Sequence, residues 1–282
     1  MENYINCIAH SSSEGQLILG GEYSVLIDCG MSFCADETIS NVKTALKGSA
    51  LDFIFMTHTH YDHIGALPYL KREWPQIRIV TSGIGAEVLL KSTPRRVIRE
   101  FSQVAATKMN ITLSLDYSDD LFQADIIVKD NDIIDLGGLT VKVLETPGHT
   151  RDALSFFIQE IGVLALNETM GVLMSDGGIY PCYLTSFHDA IDSIEKCRKI
   201  PYAFLSLPHR GIISESDAEN FFDLALKANE ECHAFILGLA AEGHDEESIL
   251  DSFIPDTETK PCRSINQKKL SLQTPKRQFL AH

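Results

Sequence analysis

Half of the chain's ten histidines fall into three short segments, and those segments are where its chemistry is concentrated. The densest is Thr57-His58-Thr59-His60-Tyr61-Asp62-His63, followed by Gly65, with three imidazoles and one carboxylate in six residues. Such a run cannot continue a buried strand, because its side chains would alternate between faces and bury unpaired polar groups. In a loop leaving the strand, His58 and His60 can turn toward one ion, and Asp62 with His63 can reach a second. A mixed imidazole and carboxylate set suits zinc, iron or manganese better than magnesium or calcium. The other segments are Thr146-Pro147-Gly148-His149-Thr150, where Pro and Gly make a tight turn ahead of the histidine, and Leu207-Pro208-His209-Arg210-Gly211. Between them, Val163 to Leu166 runs into Asn167-Glu168.

The elements around these residues explain how they could meet. Each candidate group follows a strand-like run: Leu51 to Thr57, Leu139 to Leu144, Val163 to Leu166 and Tyr202 to Leu207. Further strand signals cover Gln16 to Leu19, Tyr23 to Cys29, Ile77 to Thr81 and Ser155 to Ile158. Helical spacing covers Asp36 to Leu46, Gly65 to Trp74, Ala86 to Lys91 and Phe187 to Arg198. This alternation predicts an α/β architecture with the four candidate groups just past the carboxyl ends of strands, where α/β sites gather.

Two stretches read as additions. Ser92 to Gln123 is partly basic (Arg95, Arg96, Arg99, Lys108), with a helical stripe through Val97, Phe101 and Val104. Beyond Ser214, Ser216 and Glu219 form a capping-box pattern ahead of an apolar stripe from Ala218 to Ile236, and Asp245 begins a second helix. The expected organisation is therefore a domain over 1–211 with a helical insertion near 92–123, then a helical extension over 212–282 that ends in a basic tail.

HTHYDH with Gly65, then Thr146-Pro147-Gly148-His149-Thr150 and a late His209, with Leu26-Ile27-Asp28-Cys29-Gly30 upstream, resembles the metallo-β-lactamase superfamily. The resemblance runs from about Gln16 to Gly211. It implies an αββα sandwich with two metal ions at one edge of the sheets. His58, His60 and His149 would bind the first ion, and Asp62, His63 and His209 the second. The family's bridging Asp is replaced here by Glu168, which has the same charge and one more methylene, so it would either bridge or weaken the second site. The implied mechanism has metal-bound hydroxide attacking a carbonyl, with Asp62 as the catalytic group that orients the nucleophile and takes its proton. Zinc is the first expectation for both ions, with iron or manganese as alternatives.

Composition narrows the choice of reaction. The net charge of -15 repels nucleic-acid phosphates, although from Thr259 onward there are six basic residues and no acidic one. The most favourable place for that tail is the chain's own acidic body. Seven cysteines without CxxC spacing read as reduced thiols, and the absence of an apolar leader or a membrane-length run predicts a cytoplasmic protein with no membrane partner. The leading expectation is hydrolysis of a small-molecule carboxylic ester or thioester, in the glyoxalase II-like or thioesterase-like manner. The arginines of the insertion are candidates to meet an anionic substrate. Two alternatives stay open: a phosphodiesterase or ribonuclease of the same fold, and a binding or regulatory protein with a degenerate metal site. Oxygen or nitric oxide reduction is disfavoured, because the related branch carries Glu at the position of His60. Tyr61 is expected to pack, and Asp28 to hold the loop through hydrogen bonds. Tyr180, Tyr183 and Arg210 are weaker candidates for lining a pocket.

Overall fold

A computed structural model describes residues 5–7, 15–216, 218 and 220–252. The chain forms two compact units: Met1–Glu145 with Asp152–Asn167 and Pro201–Glu215, and Thr146–Arg151 with Glu168–Ile200 and Ser216–His282. His10, His282, Cys262 and the basic tail lie outside the described residues.

The first unit holds both large sheets. Strands β1 (Ile5–Cys7), β2 (Gln16–Ile18) and β3 (Val25–Ile27) pair antiparallel, and β3 continues in parallel with β4 (Phe53–Phe55), β5 (Arg78–Ser82) and β6 (Ile126–Val128). The second sheet contains β7 (Ile133–Asp135), β8 (Thr140–Glu145), β9 (Leu154–Ile158) and β10 (Val163–Ala165). Strands β11 (Val172–Leu173) and β12 (Ile179–Tyr180) form a separate hairpin in the second unit. The second sheet is completed by β13 (Phe204–Leu207) and β14 (Gly211–Ser214), in the order β14-β13-β10-β9-β8-β7.

Strands β3 and β4 are buried on both faces, which is why they read as unbroken apolar runs. Alternation divides their side chains between two cores. Val25, Ile27, Phe53 and Phe55 point inward and meet Val141, Val143, Phe156 and Ile158 of the second sheet. The Phe55 and Phe156 rings lie 5.2 Å apart. Leu26 and Ile54 point outward and pack with the helices of this unit.

Those helices are α1 (Ala35–Leu46), α2 (Tyr61–Ile64), α3 (Leu67–Glu73), α4 (Gly83–Leu90) and α5 (Ser92–Lys108). Helix α5 covers the first half of the 92–123 stretch, but its inner face differs from the expected stripe. Ile98, Ser102 and Ala106 are the buried residues, while Val104 is exposed. Small side chains let α5 approach closely, and Ser102 hydrogen-bonds Ser32 at 3.1 Å. Phe101 packs on Tyr61 of α2, 5.5 Å between centroids.

The second unit contains α6 (Phe187–Arg198), α7 (Phe221–Ala241) and α8 (Glu246–Ser252). Ser186 caps α6 through Asp189 N at 3.1 Å, and Asp245 caps α8 through Ser248 N at 2.9 Å. Helix α7 packs on α6, with Phe187 stacked 3.9 Å from His233 and Arg198 paired to Asp223 at 2.8 Å. It starts at Phe221 with Asn220 in the cap position, later than the Ser216 pattern predicts; Glu219 of that pattern lies outside the described residues. Among the described residues, no helix is long and apolar enough to cross a membrane.

Candidate metal centre

Asp28 organises the site from beneath. It follows β3 at φ +55°, in the left-handed region that Asp tolerates better than most residues. Its N–H donates to Phe55 O at 2.9 Å, which fixes it beside the end of β4. The buried carboxylate then accepts from Thr57 N at 2.8 Å, from Thr57 Oγ1 at 2.7 Å and from His63 Nδ1 at 2.8 Å. Because a carboxylate only accepts, His63 carries its proton on Nδ1 and keeps Nε2 for an ion. Thr57 directs its hydroxyl proton to Asp28, so at 3.1 Å its oxygen accepts from His58 Nδ1, which puts the lone pair of His58 on Nε2. One carboxylate sets the tautomers of two imidazoles.

His58 is fully buried, and its Nε2 lies 3.1 Å from His60 Nδ1. Two ring nitrogens this close hold a proton or a cation between them. Zinc–nitrogen bonds of about 2.0–2.1 Å at a tetrahedral angle put two nitrogens about 3.3 Å apart, a separation close to that of this pair. The expected loop ends earlier than predicted: His60 is the cap of α2, and Asp62 and His63 ride on that single helical turn. Gly65 lets α2 seat. A Cβ there would come within 2.4 Å of Tyr61 O and 2.7 Å of Ser32 N. Tyr61 packs as expected, and burial, then the nearby Asp62 charge, pushes its hydroxyl pKa up.

His209 occupies the tight turn between β13 and β14 at φ +60°, a second strained non-glycine residue at the site. Its Nε2 lies 3.8 Å from Asp62 Oδ2, and His63 Nε2 lies 3.9 Å from the same oxygen. Asp62, His63 and His209 therefore converge, and Asp62 retains some exposure to solvent.

The second unit presents His149 and Glu168. Gly148 sits at φ +142°, where a Cβ would approach Ala190 Cα and Thr169 Cγ2 at 2.7 Å each. Only glycine turns the chain there. The Gly148 carbonyl accepts from Leu184 N and Thr185 N at 3.0 and 2.9 Å, anchoring the turn. His149 Nδ1 donates to Cys182 O at 2.7 Å, so its Nε2 is the nitrogen left for an ion. Glu168 opens a buried 3-10 turn, Glu168–Met170. Asn167, just before Glu168, donates from Nδ2 to Leu154 O at 2.9 Å and to Ser155 Oγ at 3.3 Å.

Sequence reasoning passes over Thr57, Thr169 and the Cys182 carbonyl. Thr57 and Thr169 adjoin singled-out residues, which is a usable signal; a backbone acceptor from a distant loop leaves none. The arginines of the insertion have partners within the protein. Arg99 donates to Asp119 Oδ1 at 2.6 and 2.8 Å, to Leu115 O at 3.0 Å and to Tyr117 O at 2.7 Å. Arg95 donates to Leu89 O and Phe122 O, and Arg96 pairs with Glu100. Arg95 and Arg99 tie down the 110–122 segment, which has little regular structure of its own.

The family model described as "Metallo-beta-lactamase superfamily" matches residues 17–209. The chain belongs to this superfamily. Among its curated relatives, the Coenzyme F420H(2) oxidase of Methanothermobacter marburgensis is 30% identical over 55% of this chain and 33% of that protein. The metallo-beta-lactamase fold-containing protein ST1585 of Sulfurisphaera tokodaii is 24% identical over 80% of this chain and 84% of that protein. The solved structure of ST1585 superposes with a TM-score of 0.61 at 18% identity, covering 81% of this chain and 98% of that one. The atrochrysone carboxyl ACP thioesterase of Aspergillus fumigatus is 27% identical over 54% of this chain and 38% of its own length. The chain thus spans about a third of the oxidase and of the thioesterase, and most of ST1585. Members of the superfamily share a metal-dependent site, and this chain has the His, Asp and Glu groups for one.

Proposed function

We propose that the chain is a binuclear metallohydrolase acting in the cytoplasm on a small-molecule carboxylic ester or thioester. In this reading His58, His60 and His149 hold one divalent ion, and Asp62, His63, Glu168 and His209 hold the other. The observation that carries the reading is the tautomer control around Asp28, which puts the lone pairs of His58 and His63 on Nε2, with His58 Nε2 facing His60 Nδ1 and His63 Nε2 facing Asp62. A purely structural histidine cluster needs no such arrangement.

Divalent ions in such a site lower the pKa of bound water toward neutrality and polarise a carbonyl oxygen. The chain's own residues do the rest. Asp62, with its Oδ2 toward both His63 and His209, orients the attacking water and takes its proton. Asp28 and the Cys182 carbonyl hold the imidazoles in one protonation pattern through the cycle. The strongly acidic composition disfavours phosphodiester polymers as substrates. The thioesterase relative supports acyl transfer to water.

Zinc- and iron-loaded protein assayed against a panel of acyl thioesters and esters tests this. Turnover abolished by His58→Ala is expected. Turnover of phosphodiesters alone would overturn it. A second reading, oxygen or nitric oxide reduction, draws on the F420H(2) oxidase similarity. Against it stand His60 and the small share of the oxidase that is matched. Oxygen consumption by the iron-loaded, chemically reduced protein would favour that reading.

A further inference from the structure

We propose that the Thr169 hydroxyl is a positioning group that locks the Thr146–His149 turn to the Glu168 turn, so that His149 and Glu168 are presented as one rigid piece. The inference rests on the metal-centre reading above and extends it to a residue with no ligand atom of its own. Thr169 is fully buried. Its Oγ1 donates to Thr146 O at 2.8 Å and accepts from His149 N at 3.1 Å, so one hydroxyl closes both ends of the turn. Other backbone groups of the turn have separate partners: Gly148 N reaches Thr150 O at 3.3 Å, Pro147 O accepts from Ser193 Oγ at 2.7 Å, and Gly148 O is held by Leu184 and Thr185.

The methyl group contributes separately. Thr169 Cγ2 fills the space a Cβ on Gly148 would need, so the residue packs against the turn as well as bonding to it. Glu168 is its neighbour in the chain, and Glu168 O accepts from Gly171 N at 2.9 Å within the same 3-10 turn. A shift of Thr169 therefore carries Glu168 with it. His149 is held at three points: its ring by Cys182 O, its N–H by Thr169, and the preceding Gly148 by its packing against Ala190. Of these three, the Thr169 link is the one that also reaches Glu168. Removing the hydroxyl while keeping the shape takes a partner from the His149 N–H and from the Thr146 carbonyl at once, a loss that favours movement of the turn.

The experiment is a competitive titration of the full-length, metal-free chain with zinc against a chromophoric chelator, repeated with cobalt and its visible absorption. Thr169→Val, Thr169→Ser, His149→Ala and Glu168→Ala are compared with the wild type. Supporting-shell losses typically weaken metal binding about 10–100-fold. We expect Thr169→Val to weaken both equivalents in that range and to alter the cobalt spectrum, while Thr169→Ser stays close to wild type. His149→Ala and Glu168→Ala should each affect one equivalent more than the other. A merely structural role would lower the melting temperature of the metal-free chain and leave both affinities unchanged; that result, or loss of one equivalent alone in Thr169→Val, overturns the proposal. If Thr169→Val does not fold, Thr169→Cys, with its weak donor and acceptor, takes its place under the same criteria. Wild-type protein that takes up less than one ion overturns the metal-centre reading itself, which separates the two failures.

Discussion

Replacing Asp28 with Asn is the sharpest perturbation of this site, because it leaves shape and backbone nearly untouched. Asn tolerates the φ of +55° as well as Asp does, so no new strain enters. In the orientation that keeps Oδ1 as acceptor for Thr57 N, Nδ2 replaces the oxygen that now accepts from Thr57 Oγ1 and His63 Nδ1. Both contacts then face a donor. His63 restores a hydrogen bond only by moving its proton to Nε2, the nitrogen offered to an ion. Thr57 turns to accept, and its proton swings toward His58 Nδ1, with the same outcome for His58. The opposite amide flip leaves Thr57 N–H facing an NH2 group, at about 1–3 kcal/mol for an unsatisfied buried donor. In the first orientation metal affinity should fall about 10–100-fold, or about 1.4–2.8 kcal/mol; in the second the tautomers are kept and the loss falls on stability instead. Competitive chelator titration measures the affinity, and urea denaturation of the metal-free protein measures the stability cost. Asp28→Asn protein that binds metal indistinguishably from wild type and is also as stable without metal would show that the carboxylate does not set the tautomers.

Three further outcomes follow from the same geometry. Chelation should lower the melting temperature, because an ion present at about a hundredfold over its Kd stabilises by about 2.7 kcal/mol; differential scanning calorimetry with and without chelator reads this. Arg99→Met should destabilise the metal-free chain by about 1–3 kcal/mol through loss of the Asp119, Leu115 and Tyr117 contacts. It should leave KM for anionic and neutral thioesters in the same ratio, whereas a substrate-binding arginine would raise KM for the anionic one alone. Burial, with Glu37 nearby, pushes the Cys34 thiol up from 9.0 to about 12. The folded chain therefore keeps this proton after the unfolded chain has lost it, so its contribution to stability is full below about pH 9 and declines toward pH 12. Cys34 should correspondingly resist iodoacetamide at pH 8 in the folded protein and react once urea is added, as peptide mass mapping would show.

The chemistry-bearing segments are legible in the sequence because their signal is composition at short range: imidazoles two residues apart, directly after an apolar strand, have little to do in a core except bind a cation. The helix over Phe187 to Arg198 is also legible, since its cap, its apolar spacing and its basic last turn all agree. The inner face of α5 is not, for a physical reason. Periodicity weighs apolarity, and Val97, Phe101 and Val104 outscore Ile98, Ser102 and Ala106 on that measure. Burial follows size instead, because the helix lies close enough to Ser32 to hydrogen-bond through Ser102. Asp28 can be named from sequence as a structural hydrogen-bonding residue, yet its reach to Thr57 and His63 depends on a positive φ that no spacing reveals. The partner of His149 Nδ1 is a main-chain oxygen in a distant loop, a kind of contact that side-chain identity does not encode.

Gly65 limits how the metal-binding stretch could be transplanted. The helical turn bearing Asp62 and His63 rests directly on the backbone at Ser32, and even one methyl group at position 65 would lift it away. A designer grafting HTHYDH onto another scaffold would have to bring this bare spot, the surface it presses on and the aspartate underneath, so even the portable form of this one motif spans two separate stretches of chain rather than six consecutive residues.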